Sequence, residues 1–245
     1  MSVNLAAIFH SPLKTLIFPM KKLKFYFPLI LGYIYFLLFQ KPFWLLFSGS
    51  NKIKIKGKLV GCKLNISGKN NTIIIEDSFM RNVRINITGD NHVIHLHKGV
   101  RFLEGGRIRL EDSGNRLEIK EKSNIINAFF SLADCDTSIT VGEDCLLSSD
   151  VVVRTSDSHS IIDLKTGQRI NFGKSVVIGN HVWVGNGVNI LKGSEIGNDC
   201  IIGTQSLVTR SIPDNSLAVG NPTKVIKTDV TWNVKRISPD STNFH

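Results

Sequence analysis

The sequence predicts an all-β solenoid, a chain wound into stacked coils with short strands on each face. Three observations predict it. Ile178, Val184, Ile190, Ile196, Ile202 and Val208 recur every six residues. Four earlier pairs of apolar–polar–apolar triplets recur in steps of 21, 23 and 22 residues. The six-residue lattice then breaks between Val153 and Ile178, over a polar stretch too long for one strand. Fixed periods of this kind mark repeat architectures, in which each unit buries its apolar side against its neighbours.

The composition agrees. The chain has 245 residues, 42% hydrophobic and 20% charged, which excludes a disordered chain and a polytopic membrane protein. Lys and Arg number 30 against 20 Asp and Glu, for a net charge of +10. The first acidic residue is Glu76, and eleven lysines precede it, so the basic character belongs to the N-terminal third. Cys62, Cys135, Cys145 and Cys200 are far apart and read as reduced thiols of a cytoplasmic protein.

Residues 1–50 form a first segment. Residues 25–40 carry no charge, but sixteen residues fall short of the roughly 20 that span a bilayer as a helix. Pro28 and Gly32 interrupt them, and Lys21, Lys22 and Lys24 precede them. Aromatic rings and lysines together suit the bilayer interface. The preferred expectation is a partly helical anchor lying on the cytoplasmic face of the membrane. Packing against the rest of the protein or a partner, and a single span, are the alternatives.

Residues 51–141 carry the paired triplets. Leu64-Asn65-Ile66 precedes Ile73-Ile74-Ile75, and the same pairing recurs at 85–87 with 94–96, 108–110 with 117–119, and 130–132 with 139–141. In each pair the last residue of the second triplet follows the last of the first by nine, across a polar linker such as Ser67-Gly68-Lys69-Asn70-Asn71. Alternation buries every second side chain. In residues 142–227 each hexad reads as one strand plus a corner. The lattice residue points inward, and the residue four later (Val182, Val188, Ser194, Cys200, Ser206, Ile212) is small or aliphatic because it also faces the interior. Gly179, Gly185, Gly197 and Gly203 follow lattice residues and are expected to permit the tight turn. Residues 228–245 form a tail.

The repeated Ile-Gly-x4 pattern, closing on residues 212–226, resembles the hexapeptide-repeat acyltransferases. The likeness is strong over 140–227, stylistic over 51–140 and absent over 1–50. It implies a left-handed parallel β-helix, a homotrimer and acetyl-CoA lying in a groove between protomers. Within the family the likeness is to sugar and capsular-polysaccharide O-acetyltransferases, carried by RTSDSHSI (154–161), GQRIN (167–171) and IGNHVWVG (178–185).

His159 stands where the pure lattice would place its next aliphatic, inside an excursion that bulges from the coil (loop 154–177). An acceptor hydroxyl needs a base, and imidazole titrates near the working pH. The resemblance places the catalytic histidine here too, and the acceptor hydroxyl is expected to attack the acetyl thioester directly, with no acyl-enzyme. Asp157 either orients that ring or caps a turn. Trp183, on an outward hexad position, is implied as a wall of the active site, and packing between protomers is its alternative. Donor contacts implied by the resemblance or by small outward residues are Asn186, Gly203, Thr204, Thr209 and Lys224, each also explicable as solvated surface. His92, His95 and His97 cluster on or beside one strand, yet their pattern does not make a zinc site, and no metal is expected. His181 reads as structural or acceptor-facing. The lysines at 52–58 lack interleaved aromatics, so nucleic acid is not expected.

The expected protein is therefore a trimeric acetyl-CoA-dependent O-acetyltransferase acting on a cell-surface polysaccharide or its sugar precursor. Its rivals are an N-acetyltransferase of amino or nucleotide sugars and a non-catalytic, membrane-bound assembly module.

Overall fold

A computed structural model describes residues 2–4 and 50–238. Among them there is no helix, and the strands wind into a β-solenoid with three faces. The first face stacks Lys52–Ile55, Thr72–Ile75, Val93–Leu96, Arg116–Ile119, Ser138–Val141, Val176–Ile178 and Glu195–Ile196, each parallel to the next. The second runs from Lys58–Val60 and Phe79–Arg81 through the starts of two long strands, Arg101–Leu110 and Asn124–Leu132. It continues in Leu146–Leu147, Trp183–Val184, Ile201–Ile202 and Leu217–Val219. The third takes Lys63–Ser67, Val83–Thr88, the ends of the two long strands, Val151–Arg154, Asn189–Ile190 and Leu207–Val208.

Each predicted pair of triplets is a third-face strand and the first-face strand that follows it; the polar linker is the corner between them. The alternating apolar residues point inward. Ile73, Ile94, Leu117, Ile139 and Val176 stack in one column of the first face, and Ile75, Leu96, Ile119, Val141, Ile178 and Ile196 in the other, all buried. The six lattice residues and the six residues four places later are buried too. The two sheets cross residue 141 without a break. The expected N-terminal anchor falls on residues 5–49, which lie outside the described residues. Ser2–Asn4 pairs antiparallel with Lys63–Ser67 at the end of the third face.

The corner between the third and first faces holds a buried polar ladder. Asn71 Oδ1 accepts from His92 N at 2.8 Å, and His92 Nδ1 accepts from Asn115 N at 3.2 Å. Asn115 Oδ1 accepts from Thr137 N at 2.9 Å, and Thr137 Oγ1 lies 2.9 Å from Thr155 Oγ1. Backbone groups at a tight buried corner have no sheet partner, and these side chains supply one. His92 donates from Nε2 to Thr88 O at 3.3 Å, so its ring is neutral. Burial pushes its pKa down, which favours that state.

The expected role of the lattice glycines needs correction. Gly142, Gly179, Gly185, Gly197 and Gly203 do not have a left-handed backbone. They are required by close approach between coils: a Cβ on Gly179 would sit 2.8 Å from Gly197 C, and one on Gly142 would run into Gly179 O. The left-handed corner residues lie two places further on, at Asp144, Asp150, His181, Gly187, Gly193, Asp199 and Gln205, three after each inward aliphatic.

Candidate active site

The excursion leaves the third face after Val151–Arg154 and rejoins the first face at Val176–Ile178. Its neck is closed at residue 155. Thr155 N donates to Ser131 O at 3.1 Å, and Thr155 O accepts from Lys174 N at 2.9 Å. Beyond the neck the chain folds back on itself, with Ile162 and Arg169 bridged antiparallel. Asp163 Oδ1 caps the hairpin tip by accepting from Lys165 N and Thr166 N at 2.9 and 2.8 Å.

Asn171 holds the two arms together. It is 8% exposed. Its Oδ1 accepts from Ile161 N at 2.7 Å, and its Nδ2 donates to His159 O and Asp157 Oδ2, both at 2.8 Å. Lys192, from the following coil, donates to Asp157 Oδ2 at 2.5 Å and to Asn171 O at 2.8 Å. Arg169 forks onto Asp134 at 2.9 and 2.8 Å, and Ser156 Oγ donates to the same carboxylate at 3.1 Å. The Lys192 ammonium, then the Asn171 amide, hold the Asp157 carboxyl below the usual carboxylate range; the Arg169 guanidinium does the same for Asp134.

This framework fixes the backbone of residues 157–161 and leaves the His159 side chain exposed. Among the described residues the His159 ring makes no hydrogen bond, and the Asp157 carboxylate is turned to Lys192 and Asn171 instead of to that ring. In this protomer the Asp157 carboxylate ties the loop to the Asn171 and Lys192 side chains and, among the described residues, accepts no backbone N–H of a turn.

Trp183 lies on the second face, opposite the corner from which the excursion leaves, and is 41% exposed. Within one protomer no ring contact or hydrogen bond joins it to His159. Its described ring neighbour is Trp232 of the tail, 6.1 Å away, which stacks on His181 at 4.5 Å and donates from Nε1 to His181 O at 2.8 Å. His181 in turn pairs with Asp199 at 2.9 Å. Thr204, Thr209 and Lys224 are exposed, whereas Asn186 Nδ2 is committed to Ser149 O at 3.0 Å. A side chain at Gly203 would run into Val219, so packing alone requires that glycine. His95 and His97 stack at 3.8 Å on the first face, each against a carboxylate, Glu76 at 2.9 Å and Glu118 at 2.8 Å.

Sequence reasoning missed Lys192, Asp134 and Trp232. Lys192 and Asp134 lie 35 residues from their partners with no periodic signal. Trp232 lies in a tail that no motif marks. Asn171 and Arg169 were visible only as part of the GQRIN stretch.

Comparison with known proteins places the chain. The family described as bacterial transferase hexapeptide (six repeats) matches residues 175–210. The polysialic acid O-acetyltransferase of Neisseria meningitidis is 33% identical over 147 residues, covering 51% of this chain and 68% of that protein. The polysialic acid O-acetyltransferase of Escherichia coli O1:K1 is 35% identical over 119 residues, 49% of this chain, and the match spans only 38% of that protein. The crystal structure of the polySia-specific acetyltransferase NeuO superposes with a TM-score of 0.69 at 31% identity, covering 80% of this chain and 88% of that one.

Proposed function

The chain belongs to the hexapeptide-repeat family of bacterial transferases, and we propose that it is an acetyl-CoA-dependent O-acetyltransferase acting on a hydroxyl of a cell-surface polysaccharide. The observation that carries this reading is the presentation of His159: an exposed imidazole, free of internal partners, on a backbone clamped by Asn171. A ring bound to an internal carboxylate would face the protein; this one is open to solvent, from which an acceptor would arrive.

In the proposed reaction His159 takes the acceptor proton as the oxygen attacks the thioester carbonyl. The tetrahedral adduct expels the thiolate, and the imidazolium returns the proton to give free CoA thiol. Nothing is held covalently on the protein. Trp183 walls the site, and Thr204, Thr209 and Lys224 flank the donor, with the Lys224 ammonium against phosphate.

His159 and Trp183 belong to opposite sides of one solenoid, so a site using both draws them from two copies. A shared site needs an oligomer, and we assign it as the homotrimer that the family resemblance implies. The excursion supports it, because Leu164, Ile170, Phe172 and Ile161 are apolar and exposed on one hairpin, uncovered by their own protomer. Residues 1–50, basic and aromatic, would hold the assembly at the cytoplasmic face of the bacterial membrane, where precursors of surface glycans are built.

The test is thiol release from acetyl-CoA in the presence of the host's surface glycan, with mass spectrometry of the product. His159→Ala is expected to lower the rate about 10²–10⁴-fold with the melting temperature unchanged. A normal rate in that variant, or acetyl found only on amino groups, would refute the proposal.

A further inference from the structure

The outward sides of the first and third faces treat charge in opposite ways. On the first face the carboxylates have side-chain partners: Glu76 with His95, Glu118 with His97 and Arg116. The third face places Arg84 and Arg107 on adjacent coils in register, and Phe129 follows on the next coil. Beside that column, Arg109 lies next to Ser131, and Arg154 follows on the coil after it.

Three of these guanidiniums converge on one ring. The Arg107, Arg154 and Arg109 guanidinium carbons lie 4.2, 5.4 and 5.6 Å from the Phe129 centroid. Glu111 approaches Arg109 Nε at 3.5 Å. Among the described residues no carboxylate lies within ion-pair distance of Arg84, Arg107 or Arg154. Like charges packed this closely repel, and among the described residues Glu111 alone, at Arg109, offsets them. Contact with a phenyl face holds a guanidinium while leaving its N–H edge free to fork onto a carboxylate.

We propose that this arginine platform is a binding site for an anionic glycan chain, its carboxylates paired with Arg84, Arg107, Arg109 and Arg154. From the coil of Arg84 to that of Arg154 is three steps, about 14 Å at strand spacing, too long a row for a single carboxylate. The ligand is therefore a polymer, and the end of the platform at Arg154 lies within about 18 Å of His159, which it precedes by five residues. The inference rests on the acetyl-transfer reading for the identity of the bound polymer as acceptor; the binding itself does not.

The probe is polygalacturonate, which carries a carboxylate on every ring, with its fully methyl-esterified form as the same backbone without charge. Titration calorimetry on the full-length protein is expected to show binding of the first and not the second, weakening as salt is added. Arg107→Gln/Arg154→Gln should bind polygalacturonate at least tenfold more weakly, while CoA raises its melting temperature as it does the wild type's. Arg107→Lys/Arg154→Lys, which keeps charge but not the flat fork, should fall between. His159→Ala should bind polygalacturonate like the wild type whether or not it transfers acetyl, which separates this site from the catalytic reading. The inference is overturned by no binding to the wild type, by equal affinity for the esterified polymer, by an undiminished double Gln variant, or by loss of CoA binding in that variant.

Discussion

From Ile75 through Leu96 and Ile119 to Val141 the chain takes 21 to 23 residues for each coil, whereas from Ile178 to Ile196 it takes 18. The longer coils have roomier corners, and buried side chains fill them: Asn71, His92, Asn115 and Thr137 bond the backbone that the corner leaves unpaired. Close backbone approach at glycines and left-handed corner residues belong to both halves: Gly68, Gly89 and Asn91 in the longer coils, Gly179, Gly197 and Asp199 in the shorter. The buried chain of corner side chains bonded from coil to coil belongs to the longer coils. Steric economy is common to both halves, and the longer coils add polar satisfaction at their roomier corners. The excursion bearing His159 leaves where coil length changes.

This contrast can be broken by substitution. Gly179→Ala forces a side chain into the backbone of the next coil and is expected to lower unfolding free energy by about 3 kcal/mol, at the upper end for overpacking. Gly105→Ala, where the nearest atom lies 3.6 Å from the added Cβ, should stay within about 0.5 kcal/mol. Equal urea midpoints for the two variants would erase the steric half of the comparison. Asn115→Ala leaves Thr137 N–H buried without its acceptor and should cost about 2 kcal/mol. Ser194→Ala in the tight half should cost less than about 1 kcal/mol, because Val208 O keeps its bond from Leu191 N.

The smallest effect concerns the boundary itself. Asp157 has its carboxyl held low by Lys192, so its stabilisation of the excursion is complete at neutral pH. It is lost as pH falls below the ordinary aspartate range, near 4, toward the depressed value. The pair is partly exposed, and the effect should stay below about 1 kcal/mol. Proteolysis of residues 156–173 should quicken on acidification in the wild type and depend less on pH in Asp157→Asn. An identical acid response in both would assign the change elsewhere.

Much of this was legible in the sequence. The inward columns follow from period alone, because Ile178, Val184 and Ile190 occupy the three faces in turn. The excursion was visible as a lattice break at His159. The second-face strands of the N-terminal coils were not visible: Lys58–Val60 and Phe79–Arg81 are three residues each, too short to show alternation. His92 invited comparison with its half-buried neighbours His95 and His97, since a sequence does not distinguish a corner turned inward from a strand turned out. Asp157 beside His159 suggested a local pair; Lys192, delivered by the next coil, competes for that carboxylate.

The central claim is that one active site takes His159 from one copy and Trp183 from another. Co-expression of His159→Ala with Trp183→Ala, each carrying a different tag, tests it by the specific activity of doubly tagged trimers. Each variant alone should be nearly inactive. In every trimer carrying both tags one site of the three regains both side chains, and activity should return to about a third of wild type. Mixed trimers no more active than their parents would contradict the account and return both residues to a single protomer.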